Sequence, residues 1–135
     1  MSRLWEKGLP LDERVLRYTA GEDHVLDARL VEYDVRGSIA HAEMLAAQEL
    51  ISHDDCHAIC DGLRALEAAF DKGEWQITLD DEDVHTALET RLTENIGPAG
   101  GRLHLGRSRN DQVLTALRLY LRDAALDLAG RVEHL

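Results

Sequence analysis

Gly100-Gly101-Arg102-Leu103-His104-Leu105-Gly106-Arg107-Ser108-Arg109-Asn110-Asp111-Gln112 is the stretch on which the reading of the fold turns. It sets three arginines against one aspartate in a chain of formal net charge −11. Its glycines permit close backbone approach and positive φ. Directly behind it, apolar periodicity predicts a helix from about residue 110 to the end. Ser108 and Asp111 have the spacing of a capping box, serine first and acid three residues on. Asp111 stands where Glu or Gln is preferred, so the box is approximate. Free backbone N–H groups and the positive end of the macrodipole meet at such a helix start and suit an anion. Arg109 can fork onto a carboxylate through two parallel hydrogen bonds. Ser108 and Asn110 can add neutral donors. A plain loop with a cap has the same composition, and spacing leaves both readings open.

Working outward, the chain reads as all-α. It has two prolines, few aromatics and many Ala, Leu, Glu and Asp. Leu26, Leu30, Ile39, Ala42, Leu45 and Ala46, widened by Val31 and Val35, predict a first helix over residues 23–49. Gly37 lies inside it, which suggests close packing against another backbone, and His41 is a ligand or interfacial group there. Ser52 starts a second helix with Ile59, Leu63, Leu66 and Phe70 as its stripe, closed by Lys72-Gly73. Trp75, Ile77 and Leu79 then alternate with polar residues, as in an extended connector or one small strand. Asp80 or Asp81 is expected to cap a third helix, stopped near residue 95 by Gly97-Pro98. His85 and Glu89, four apart, share a face of it. In the last helix Leu114, Leu117, Leu121, Ala124, Leu128, Val132 and Leu135 alternate steps of three and four, the seam of a helix bundle. That seam is still in phase at residue 135. Its partners are therefore expected from other copies of the chain or from further sequence.

With 135 residues the chain is the size of one domain. The acidic balance argues against nucleic acid or an anionic membrane as partner, so the basic loop suits a small anion. Residues 1–10 lack the apolar core of a signal peptide, and no run approaches the length of a membrane span. Cys56 and Cys60, four apart on a predicted helix, have poor disulfide geometry, and a reduced cytoplasmic setting follows. His53, Asp54, Asp55 and His57 could hold a metal, but the catalytic zinc pattern needs a glutamate beside the first histidine and a third ligand. The reading there is no metal. No phosphate-binding P-loop or dinucleotide fingerprint is present, and no cofactor is expected.

Gly106-Arg107-Ser108-Arg109-Asn110-Asp111-Gln112 resembles the signature loop of the argininosuccinate lyase and delta-crystallin family, in the aspartase/fumarase superfamily. Leu4-Trp5 resembles the family's start. Glu32-Tyr33-Asp34-Val35-Arg36-Gly37-Ser38-Ile39-Ala40-His41-Ala42 resembles its first long helix, and Asp81-Glu82-Asp83-Val84-His85 with Glu89-Thr90-Arg91-Leu92-Thr93-Glu94 its next. The resemblance runs in family order over nearly the whole chain. It implies the N-terminal helical domain of that fold over residues 1–109, and the start of the central long-helix bundle over 110–135.

The resemblance also implies a chemistry: β-elimination of argininosuccinate to arginine and fumarate. A base removes a proton beside a carboxylate, and negative charge builds there before the guanidinium leaves. Such a site must bind carboxylates with prearranged donors. On this basis Ser108, Arg109 and Asn110 are expected to bind a small dicarboxylate substrate, with His85 in support and Asp83 in the same wall. No catalytic residue is expected here. The superfamily's proton-abstracting serine loop (Gly-Ser-Ser-x-Met-Pro-x-Lys-x-Asn) and its Thr-His pair are absent from these residues. The resemblance implies sites shared between subunits of a homotetramer. Two departures bear on substrate: Gly21 stands where the family has a substrate-contacting serine, and Leu105 where it usually has threonine. A second expectation, of a different class, is a non-catalytic helical oligomerisation or binding protein derived from the lyase.

Overall fold

The computed structural model describes residues 14, 15, 18 and 21–134; the Leu4-Trp5 segment and Leu135 lie outside them. Six α-helices and two 3-10 turns follow in order over residues 23–133. They are α1 (Asp23–Leu26), a 3-10 turn (Asp27–Leu30), α2 (Val31–Ala47), α3 (His53–Asp71), α4 (Val84–Ile96), α5 (Pro98–Gly101), a second 3-10 turn (Arg102–His104) and α6 (Arg109–Glu133). There is no strand among the described residues, so the expected all-α class holds.

The core is one cluster shared by α2, α3 and α4. Val31, Val35, Ala42 and Leu45 of α2 meet Ile59, Leu63 and Leu66 of α3 and Val84, Ala87, Leu88 and Leu92 of α4. Each fully buried Leu or Ile there contributes about 1.5–3 kcal/mol of hydrophobic stabilisation. The periodicity of α2 and α3 therefore predicted the buried face well. It did not predict the break: the expected 23–49 helix is two helices joined by a 3-10 turn. At that turn the Asp27 carboxylate leaves the helix pattern to accept from Val84 N at 3.1 Å, tying the entry of α2 to the first turn of α4. Burial raises the Asp27 pKa above its ordinary value, against the Val84 hydrogen bond.

The α4 cap is also corrected. Asp83 caps it, its carboxylate accepting from Thr86 N at 2.7 Å. Asp81 is engaged elsewhere. It accepts from Thr78 N and Oγ1 (2.8 Å each) and pairs through both oxygens with Arg91 (2.8 and 3.1 Å). Burial opposes the Asp81 charge, but the Arg91 and Thr78 bonds outweigh it and hold its pKa below the ordinary carboxylate value. The Arg91 guanidinium also lies 4.6 Å from the Trp75 ring centre, and Trp75 Nε1 donates to Leu66 O at 2.8 Å. The connector is thus extended but pinned to α3 and α4 by side chains, without a ladder.

Gly97, at φ +71°, ends α4, and Pro98 opens α5 at once. Pro98 therefore starts a helix as well as stopping one, because its missing N–H is not needed in a first turn. This tight reversal lays α5 on α4. A Cβ at Gly100 would stand 2.7 Å from Thr93 Cα and 2.9 Å from Thr93 N. At Gly62 of α3 a Cβ would meet side chains alone, the tip of Leu92 at 2.6 Å and Ile96 Cγ2 at 3.3 Å. Backbone cannot retreat as a leucine tip can. Gly100→Ala is expected to lower unfolding free energy in urea by about 1–3 kcal/mol. Gly62→Ala is expected to lose less, because alanine's helix propensity returns up to about 1 kcal/mol. Equal losses would contradict this packing.

Candidate functional site

Ser108 sits in extended conformation just before α6 and forms a complete capping box with Asp111. Asp111 N donates to Ser108 Oγ at 3.3 Å; Ser108 N and Ser108 Oγ donate to Asp111 Oδ2 at 2.8 Å each. The aspartate side chain is short, yet it reaches, and these Ser108 bonds depress its pKa. Gly106, at φ +71°, supplies the left-handed turn that delivers the chain to this start. The first helical bond of α6 runs from Gln112 N to Ser108 O. The N–H groups of Arg109 and Asn110 therefore lie outside the ladder at the positive end of a 25-residue helix. Asn110 is exposed there.

Arg109 makes the expected fork, but onto the protein's own carboxylate. Its Nη1 and Nη2 reach Glu89 Oε1 and Oε2 at 3.2 and 3.0 Å, and Nη1 also donates to Gln112 Oε1 at 2.6 Å. His104 Nδ1 lies 3.1 Å from the same Glu89 Oε1. Glu89 and His85 are four apart on α4, as the sequence suggested, yet they serve different partners. His85 is buried at 2 % exposure, with Nδ1 3.0 Å from Asp34 Oδ2, off the direction of an aligned hydrogen bond.

Asp34 was read in the sequence only as part of a family segment, and it is the hub. Buried at 2 % exposure on α2, it accepts from Gln112 Nε2 at 3.0 Å on each oxygen and from Ser38 Oγ at 3.3 Å. Ser38 Oγ in turn accepts from Arg107 Nη2 at 3.1 Å. Burial pulls the Arg107 pKa below its ordinary value, although Asp34 and Glu89 favour its charge. One polar network thus joins α2, α4 and the basic loop. A cleft of about 100 Å3 opens beside it between α2 and α6, lined by Tyr33, Gly37, His41, Arg107 and Thr115 among others. Gly37 meets a side chain, Thr115 Cγ2, rather than the backbone expected; its Cβ would lie 3.1 Å away. His41 Nε2 lies 2.9 Å from Leu105 O, a contact that fastens the loop to α2.

The sequence pointed to Ser108, Arg109, Asn110 and His85 as substrate-binding residues; the structure puts the first three at the start of α6 and His85 beside Asp34. The sequence reading missed Asp34, Ser38, Gln112 and the Glu89–His104 contact. A signal existed: Asp34 and Ser38 lie four apart among the apolar positions of α2, where a polar pair needs a buried partner. His53 and His57 are exposed, and Asp55 accepts from Ser52 Oγ and pairs with Arg102. Among the described residues no three potential metal ligands converge. Cys56 and Cys60 are free and buried; burial, with Cys56 adding to it, pushes the Cys60 pKa up to about 11.

A family model described as "Lyase" matches residues 12–135. The chain belongs to the lyase family. Among curated relatives, this lyase chain is 49% identical to the argininosuccinate lyase of Sorangium cellulosum over 127 residues, which is 94% of this chain and 30% of that protein. It is 43% identical to the argininosuccinate lyase of Thermotoga neapolitana over 121 residues, 90% of this chain and 30% of that protein. It is 51% identical to the enzyme of that name from Chromohalobacter salexigens over 115 residues, 85% of this chain and 24% of that protein. The chain thus spans no more than about a third of the length of these relatives.

Two measurements test the site's construction. Asp34→Ala removes the acceptor of Gln112 and Ser38 and the partner of His85. It is expected to cost about 3–5 kcal/mol in chemical denaturation; a loss below 1 kcal/mol, within the range of an ordinary surface change, would mean the network is not a unit. Burial lowers the His41 pKa, with Arg107 and His104 adding to the effect and the Leu105 hydrogen bond opposing it. A depressed folded pKa means the neutral ring is favoured by folding. His41's contribution is then fully present above pH 6.5 and lost as pH falls through the folded pKa. An NMR titration of His41 should show a midpoint below 6.5, and one above it would reverse the sign.

Proposed function

We propose that this chain forms the carboxylate-binding wall of an argininosuccinate lyase: the enzyme that cleaves argininosuccinate to arginine and fumarate in arginine biosynthesis. The observation that carries the reading is the match of a lyase family model to residues 12–135, with relatives named argininosuccinate lyase at 43–51% identity. In the elimination a base takes the proton beside a carboxylate, the carbon–nitrogen bond breaks, and its electrons leave with the guanidino group as fumarate forms. Charge accumulates on the carboxylate, where fixed donors lower the barrier. Asn110, the adjoining N–H groups of Arg109 and Asn110, and the α6 dipole are the donors this chain offers. Ser108 shapes the turn, because its hydroxyl is engaged by Asp111.

Arg109 and His85 enter this proposal behind the wall. Glu89 is carried on the same rigid body as Arg109, so it competes with a free ligand at an effective concentration far above millimolar. A dissolved carboxylate does not displace it without several additional contacts.

The partner surface proposed is the α6 seam. Leu114, Leu121, Leu128 and Val132 are each more than half exposed, and only Gln112 and Ala116 of α6 are buried. A helix face that apolar fits a homo-oligomeric bundle. Among the described residues no helix is long and apolar enough to cross a membrane. A cytoplasmic site of action is part of the proposal, as is a dicarboxylate substrate.

The test is a chimera in which this chain replaces the matching segment of the Sorangium relative. It should release fumarate from argininosuccinate, followed by ultraviolet absorbance, and Asn110→Ala in it should lower kcat/KM about a hundredfold. A chimera that folds and assembles but is silent would sink the lyase reading in favour of the non-catalytic assembly protein.

A further inference from the structure

Gln112 joins the network's buried anion, Asp34, to Arg109 at the start of α6. Its Nε2 donates to both oxygens of Asp34 at 3.0 Å, and its Oε1 accepts from Arg109 Nη1 at 2.6 Å. The residue is buried at 2 % exposure. A primary amide presents two donors on one end and an acceptor on the other. Here the donor end faces a carboxylate and the acceptor end a guanidinium, so one orientation satisfies both and the flipped one satisfies neither. Aspartate or glutamate in its place would set two buried carboxylates together. Lysine would oppose Arg109. No charged residue fits both ends.

Gln112 also lies one turn after Arg109 on α6, so its amide and the first turn of the helix move together. Arg109 is held from the other side by Glu89, on α4. The first turn of α6 is thereby clamped between a buried point on α2 and a half-buried point on α4. Asn110 sits inside that turn and is exposed. We propose that Gln112 is a positioning residue of the carboxylate site: bridging Asp34 and Arg109, it fixes the direction in which Asn110 and the adjoining N–H groups meet a dicarboxylate. This rests on the reading of the α6 N-terminus as a carboxylate site. It adds that the site's affinity is set from beneath, by a side chain the ligand does not touch.

The probe is succinate, a dicarboxylate that cannot undergo the elimination, titrated into the 135-residue chain and followed by the amide signals of residues 108–112. Gln112→Leu removes both ends of the bridge. A misplacement of about 1 Å at a positioned group costs up to roughly a hundredfold, so succinate affinity is expected to fall 10- to 100-fold. Gln112→Glu keeps the acceptor for Arg109 and breaks the Asp34 end; it should weaken binding as well, and it serves where the leucine variant does not fold. A purely structural role would lower stability alone. The separating readout is a double-mutant cycle with Asn110→Ala. If Gln112 acts through Asn110, its substitution changes succinate affinity little in the Asn110→Ala background, while still lowering the melting temperature.

Unchanged succinate affinity in either folded Gln112 variant overturns the proposal. So do additive losses in the cycle, or an absence of succinate binding to the wild-type chain. Fumarate release by the chimera is measured separately, so elimination without succinate binding would discard this inference and leave the lyase reading standing.

Discussion

The Asp34 carboxylate, enclosed by α2, α4 and α6, is the constraint from which the site's geometry follows. A buried carboxylate is tolerated only when its oxygens are occupied by donors. Gln112 and Ser38 supply hydrogen bonds, and His85 approaches from α4. Each comes from a different stretch of sequence or a different turn, so satisfying one anion fixes three helices at once. The hydrophobic core of α2, α3 and α4 sets which faces meet, but apolar contact is nondirectional and leaves the register free to adjust. The polar network removes that freedom.

The basic loop is held by the same logic. Arg107 reaches Ser38 on α2, Arg109 and His104 reach Glu89 on α4, and Leu105 O meets His41. A loop with glycines and three arginines would otherwise sample many conformations. Here its cations are matched to acceptors on rigid helices, and the outcome is a fixed start for α6. What remains free at that start is Asn110 and a helix N-terminus, the donors on which the proposed carboxylate site rests.

The α6 helix carries a second consequence. Its inner residues, Gln112 and Ala116, are buried against the domain, whereas its leucine seam faces outward. One helix therefore serves two structures: its first turns close the site region, and its later turns present an apolar surface. Tyr33 and Tyr120 meet edge to face at 5.7 Å where the two roles join, and Arg36 lies 3.6 Å from Asp123 just beyond.

Sequence alone determined the all-α class, the buried faces of α2 and α3, the capping of α3 and α6 and the family. These depend on periodicity, capping chemistry and local motif, all of which act within a few residues of one another. It also singled out Ser108, Arg109, Asn110 and His85, through resemblance. Only the tertiary structure decided what those residues do to each other. The periodicity of α2 could not reveal that Asp34 meets Gln112, because that bond joins residues 78 apart. The chemistry of Arg109 called for a carboxylate, and nothing local distinguished a ligand's from that of Glu89, twenty residues away. The cap of α4 moved for a related reason: Asp81 is held by Thr78 and by Arg91, two to three turns along the helix, and Asp83 takes the cap. Directional contacts between distant residues are set by how helices pack, and packing is a property of the whole fold.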